Sequence, residues 1–158
     1  MTPSTVYLET TVVGYLTARP SADPIAAARQ TLTQAWWDSQ RDRYDIYISD
    51  VVVIEAGRGD VDRAARRLEF LSHLPRLLPS QDAEQVADRL LRSGIIPSAA
   101  ADDAAHLAIA ITAELDYLLT WNMKHLAHPV VRHRVERFCA DEDLVVPMIC
   151  TPAELLEL

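Results

Sequence analysis

Asp102-Asp103-Ala104-Ala105-His106-Leu107-Ala108-Ile109-Ala110, followed closely by Asp116-Tyr117-Leu118-Leu119-Thr120-Trp121-Asn122, is the stretch that decides how this chain folds. Its first part reads as a helix with acid at its start and apolar residues behind. Its second part reads as a short strand running into a polar loop. Positions three and four apart stack on a helix, so Asp103 shares a face with Leu107, Ala110 and Ile111. A carboxylate on a core-facing stripe is costly to bury unless it is paired or bound to a cation. Asp103 therefore asks for a chemical explanation.

The rest of the chain alternates in the same way. Thr5 to Glu9 is a β-prone run, followed by a helix expected from Val12 to Thr17 and stopped before Pro20. Asp23 is a good N-cap, with Pro24 where its missing N–H costs nothing, and opens a helix to about Gln40. Tyr44 to Ser49 reads as the next strand, with Asp50 capping an element that breaks at Gly57-Arg58-Gly59. Asp60 restarts a helix through Leu71. Pro75 and Pro79 bracket an extended Arg76-Leu77-Leu78, and Ser80 caps a helix to about Ser93. Ser98 is the expected cap of the helix carrying Asp103. A helix from Pro129 to Asp141, a strand from Leu144 to Ile149 and a helical turn after Thr151-Pro152 complete the pattern. Apolar strands such as Tyr117–Thr120 suit a sheet covered on both faces. The class is α/β, with a mostly parallel sheet.

At 158 residues one domain, 1–158, is expected, long enough to bury a core without staples. Apolar residues make up 49% of the chain, which excludes a disordered protein. No apolar run is long enough to cross a bilayer, and no basic start precedes an apolar block, so no membrane partner and no export are expected. Cys139 and Cys150 are too few for a disulfide framework and lack metal-site spacing, which suits a reducing, cytoplasmic setting. The net charge of −8 argues against loose electrostatic adhesion to nucleic acid. It leaves room for a nucleic-acid enzyme whose carboxylates surround a divalent cation.

Sites in open parallel sheets gather beyond the carboxyl ends of the strands. Glu9 closes the first strand, Glu55 sits after the strand ending at Ser49, Asp103 starts its helix, and Asn122 follows Thr120. Four oxygen-bearing side chains from scattered parts of the chain can thus converge. Hard cations such as Mg²⁺ and Mn²⁺ take such ligands, and attack of a metal-activated water on a phosphodiester is the chemistry that follows.

Val6-Tyr7-Leu8-Glu9-Thr10-Thr11-Val12-Val13, Ile48-Ser49-Asp50 with Glu55, Asp102-Asp103-Ala104-Ala105-His106-Leu107-Ala108 and Asp116-Tyr117-Leu118-Leu119-Thr120-Trp121-Asn122 together resemble the PIN-domain proteins. Among these they look most like the VapC-type toxins of toxin–antitoxin pairs, in the family's order over nearly the whole chain. The resemblance implies a three-layer α/β/α sandwich, a Mg²⁺- or Mn²⁺-dependent endoribonuclease, homodimers, an RNA substrate and a cognate antitoxin. It also implies that Glu9, Glu55 and Asp103 hold metal, with Asn122 where many members have a fourth Asp. Thr120 matches a strand-ending Thr or Ser that can hold a water or a metal ligand. Arg58 and Thr10 are the substrate-contacting candidates. Two residues depart from the pattern. Glu at position 9 is one carbon longer than the usual Asp, roughly 1.5 Å, against a tolerance of about 0.5 Å in a preorganised site. Asn122 keeps an oxygen but loses a charge.

Plainer readings stand beside these. Glu55 can be a surface partner of Arg58, Asp103 a first-turn acid favoured by the helix dipole, and Asn122 a turn residue. His106 reads as structural, bonding Asp103 or packing between helix and sheet. Arg58, Arg63, Arg66 and Arg67 read as a solvated face or as phosphate binders. Of Trp36 and Trp37 at most one can face the core, leaving the other half-exposed or on a partner surface. The function competing with the nuclease is a PIN-like RNA- or protein-binding module with weakened or lost turnover. A receiver-like or phosphatase domain ranks last, because its first strand ends in Glu9 and Lys124 is the only lysine.

Overall fold

The computed structural model describes residues 2–157. Five strands, β1 (Ser4–Leu8), β2 (Tyr44–Ser49), β3 (Arg76–Leu77), β4 (Tyr117–Leu119) and β5 (Met148–Cys150), form one sheet in the order β3-β2-β1-β4-β5. Every pairing is parallel, with Tyr7 opposite Tyr47 on one side and Leu118 on the other. Parallel neighbours need crossovers, which among the described residues are supplied by seven helices: α1 (Thr10–Thr17), α2 (Pro24–Gln40), α3 (Asp50–Ala56), α4 (Val61–Leu71), α5 (Gln81–Arg92), α6 (Ala101–Thr112) and α7 (Pro129–Asp141); a short α8 (Pro152–Leu155) follows the last strand.

Strand order dictates the layers. The chain steps from β1 to β2 to β3 in one direction, then returns over the sheet to β4 and continues to β5 in the other. Right-handed crossovers therefore place α1–α4 on one face and α5–α7 on the opposite face. The result is α/β with an all-parallel centre. β1 and β4 lie where the direction reverses, which is where open parallel sheets bind ligands. Covered on both faces, these two strands are apolar toward their carboxyl ends: Val6, Tyr7, Leu8, Leu118 and Leu119 are fully buried. Their opposite ends are tied by Asp116, whose Oδ2 accepts from the Thr5 N–H at 2.8 Å.

Local chemistry moved several expected boundaries. Helix α1 starts at Thr10, two residues before Val12, because Glu9 is its N-cap and its carboxylate accepts from the Thr11 N–H at 3.2 Å. Ser98 does not cap the helix of Asp103. It opens a short 3-10 turn, Ser98–Ala100, closed by the Ala100 N–H on Pro97 O at 2.8 Å, and α6 follows at Ala101 without a side-chain cap. The last strand is confined to Met148–Cys150, since Pro147 has no N–H to give a ladder. Asp23 and Ser80 cap their helices as expected, and Asp60 and Thr151 do so too, Thr151 in a reciprocal capping box with Glu154; Asp50 does not cap α3 but is its first residue, after Ser49. Gly59 and Gly94 turn with φ of 85° and 78°, where a side chain would be strained.

Trp36 is fully buried, tilted over Tyr44 with ring centroids 5.8 Å apart. Trp37 is half-buried, packed on Phe70 and under the guanidinium of Arg41, so its partners lie within the chain. No described helix is long and apolar enough to cross a membrane.

Candidate metal centre

Glu9, Glu55 and His106 meet beyond the carboxyl ends of β1 and β4. Each offers a ligand atom within 4.8 Å of the others, the one such group of three found among the described residues. Glu9 reaches the centre from the junction of β1 and α1, Glu55 from the last turn of α3, and His106 from the middle of α6. Three crossovers thus deliver three donors to the point where the sheet changes direction.

Glu9 is almost wholly buried, 3% exposed, and the fold accommodates the extra carbon by turning the carboxylate back on its own helix. Oε1 accepts from the Thr11 N–H, the Thr11 hydroxyl, and the Thr120 hydroxyl at 2.6 Å. Thr11 in turn accepts from the Trp121 N–H at 2.8 Å, which locks the loop after β4 onto α1. No hydrogen bond to the other oxygen, Oε2, occurs among the described residues; His106 Nε2 stands 4.0 Å from it. Burial pushes the Glu9 carboxyl above its ordinary value, against the lowering pull of His106, Thr11 and Thr120.

Glu55 is bonded to Thr10, whose hydroxyl donates at 2.8 Å, and to His106 Nε2. Burial alone would raise its pKa, but the hydrogen bond and charge of His106, then Thr10 and Arg58, hold it below the ordinary range. His106 is fully buried. Desolvation would lower its pKa, yet Glu55, Glu9 and Asp103 outweigh that and raise it. Its Nδ1 lies 2.7 Å from the hydroxyl of Tyr7, itself 2.7 Å from Ser49 Oγ. Ser49 makes no side-chain cap for α3, because its hydroxyl is engaged there. Burial also drives the Tyr7 phenol well above its usual pKa, so the hydroxyl stays protonated.

The remaining expected residues lie around this centre with hydrogen-bond partners of their own. Asp103 is not bonded to His106; its Oδ2 is 2.9 Å from Nδ1 of His125. Together with Glu55, Asp102 and His125 it lines an open cleft of about 360 Å³. The Asn122 Oδ1 accepts from the His125 N–H at 2.9 Å and closes the turn that carries His125. Thr120 is buried and also accepts from the Asn122 N–H at 2.9 Å. Arg58 pairs with Asp102 at 3.0 Å and not with Glu55. Arg67 is turned inward onto the carbonyls of Ala56 and Arg58, and Arg66 onto that of Thr17. With Arg63, Arg19 and Tyr15 they edge a larger cleft of about 1040 Å³ that reaches Thr11.

His106, His125 and Thr11 were not singled out by the sequence as parts of a site. Asn122-x-x-His125 is a spacing that a side-chain-capped turn produces. His106 carried no comparable signal, because its partners Tyr7 and Glu55 lie 99 and 51 residues away.

No family model matches the chain, and no curated protein does. Among solved structures, the chain is similar to one from VapBC2 of Rickettsia felis bound to a DNA fragment from their promoter. The TM-score is 0.59 at 15% identity, covering 93% of this chain and 98% of that one. It is also similar to a chain from VapBC-1 of nontypeable Haemophilus influenzae, with a TM-score of 0.55 at 13% identity, covering 94% and 98%. By fold this chain is an α/β protein with an all-parallel sheet, similar to chains found in these VapBC structures.

Proposed function

We propose that the chain is a divalent-cation-dependent endoribonuclease, the toxin of a toxin–antitoxin pair. The observation that carries this reading is the convergence of Glu9 and Glu55 with a buried histidine at the switch point of a VapC-like sheet. The donor set fits a divalent cation: two carboxylates and an imidazole offer ligand atoms within 4.8 Å of one another, and one oxygen of Glu9 carries no hydrogen bond among the described residues while the other takes three. Glu9 and Glu55 hold the cation, and Asp103 adds a third carboxylate from the cleft wall. A bound cation supplies charge neutralisation at the phosphate and a more acidic water.

The chain's own residues do the rest. Thr11 and Thr120 fix the Glu9 carboxylate by three hydrogen bonds, so its free oxygen keeps one direction. Asn122 fixes the turn that presents His125, and Asp103 orients the imidazole at the cleft. Thr10 and Arg58 flank the opening, where Arg58 meets a phosphate by exchanging its exposed pair with Asp102. A VapB-like antitoxin, a homodimer and a cytoplasmic location complete the proposal. Its test is cleavage of a structured-RNA pool with Mg²⁺ or Mn²⁺, comparing the parent, freed of co-purified protein, with Asp103→Ala. Cleavage lost with the substitution supports the reading. Equal cleavage by both proteins removes Asp103 from it, and saturable cation binding with no cleavage of any RNA favours the binding module.

A further inference from the structure

We infer that His106 is a nitrogen ligand of this centre, and that it makes the site select a first-row transition cation over Mg²⁺. The inference rests on the reading of Glu9 and Glu55 as cation ligands and deepens it. Mg²⁺ demands hard oxygen donors, whereas an imidazole nitrogen favours the transition series, whose members bind nitrogen with increasing strength from Mn²⁺ upward.

Three features of the structure support it. First, His106 Nε2 is aimed at the carboxylates: it bonds Glu55 Oε1 and stands 4.0 Å from Glu9 Oε2. Second, that Glu9 oxygen receives no hydrogen bond among the described residues while Oε1 takes three, so the carboxylate is fixed with one oxygen left free beside His106. Third, the far side of the ring is arranged as it is in metal-bound histidines. Such a ligand donates its other N–H to a fixed acceptor, which sets both tautomer and orientation. The Tyr7 hydroxyl, 2.7 Å from Nδ1, is that acceptor, and it can pass its own proton to Ser49 Oγ at 2.7 Å. Without a cation, the proton on Nε2 lies toward Glu55. A cation would take that proton's place among the same atoms, with Nδ1–H donating to Tyr7.

An ordinary structural histidine needs less than this. A buried imidazole has two ring nitrogens to satisfy, and Tyr7 and Glu55 suffice for them; the second carboxylate, Glu9 at 4.0 Å from Nε2, is beyond what packing requires.

The experiment uses the whole protein and the metal ions alone, with no RNA. Calorimetry compares Mn²⁺ with Mg²⁺, and pulsed EPR of the Mn²⁺-loaded protein reads nitrogen coupling, with ¹⁵N-histidine labelling to assign it. The measurement is repeated in His125→Gln, which removes the other histidine at the cleft. The expected result is Mn²⁺ binding tighter than Mg²⁺, with a histidine-nitrogen signal that persists in His125→Gln. Tyr7→Phe, which keeps the ring packing, should weaken Mn²⁺ by about 10–100-fold. Mn²⁺ bound with no histidine coupling, or with coupling lost in His125→Gln, overturns the role of His106 and leaves the cation site standing. Binding of neither ion overturns both.

Discussion

Thr120 and Glu9, each one residue beyond the carboxyl end of adjacent parallel strands, are joined by a 2.6 Å hydrogen bond from the threonine hydroxyl to Oε1 of the carboxylate. The bond is buried, and it fixes which oxygen of Glu9 is left free. Thr120→Val keeps the shape of the side chain and removes the donor. It should cost about 1–3 kcal/mol in urea unfolding, the range for a buried acceptor deprived of a partner. A change within about 0.5 kcal/mol, typical of a surface site, would mean that Glu9 is held by Thr11 alone.

Asn122 separates turn chemistry from metal chemistry. Its amide oxygen accepts from the His125 N–H, as a cap does. Asn122→Ala is expected to destabilise the protein by about 0.5–2 kcal/mol, the usual loss for such a cap, while leaving Mn²⁺ affinity close to parental. A large loss of Mn²⁺ affinity, measured by calorimetry, would return Asn122 to the set of ligands.

The metal-free centre should make stability depend on pH in a definite direction. His106 has its pKa raised in the folded state, so its contribution is complete below its ordinary 6.5 and is lost as pH rises through the folded value. Glu9, also raised, acts in the same direction, because folding penalises its charged form above 4.5. Glu55 is lowered, so its contribution is present above 4.5 and lost as pH falls through its lower folded value. In EDTA the unfolding midpoint should therefore peak on the mildly acidic side and fall toward alkaline pH. His106→Gln should flatten the alkaline fall. A midpoint still rising above neutrality would contradict the burial of these groups together.

The two adjacent tryptophans should behave differently. Trp36 is fully buried, and its indole N–H has no hydrogen-bond partner among the described residues. Trp36→Ala should cost about 3–5 kcal/mol, whereas Trp36→Phe should cost far less, since it also removes an unsatisfied donor. Trp37→Ala should cost less than Trp36→Ala, because Trp37 is only partly covered by Phe70 and Arg41. Equal losses in chemical denaturation would contradict this placement of the core.

The architecture was legible wherever local chemistry and the global fold agree. Asp23-Pro24, Asp60, Ser80 and Thr151-Pro152 announce helices that form where those residues place them. The continuous apolar run Tyr117–Leu119 announced a strand covered on both faces. Convergence of Glu9 with Glu55 followed from the rule about strand ends. What could not be read were pairings over long sequence separation. Nothing near His106 says that Tyr7 and Glu55 enclose it, and nothing near Asp103 says that His125 takes its carboxylate. The α1 boundary failed for a related reason: Glu is a poor guess for an N-cap until Thr11 and Thr120 are seen holding it.

The measurement that tests the central claim most directly is Mn²⁺-dependent cleavage of a structured-RNA pool by the parent and by Glu9→Gln, each with and without EDTA. The account predicts cleavage by the parent that EDTA abolishes, and loss of at least about 100-fold in Glu9→Gln, as for a group at the reacting centre. Circular dichroism should show both proteins folded. Cleavage that survives EDTA, or a folded Glu9→Gln protein cutting at the parental rate, would contradict it.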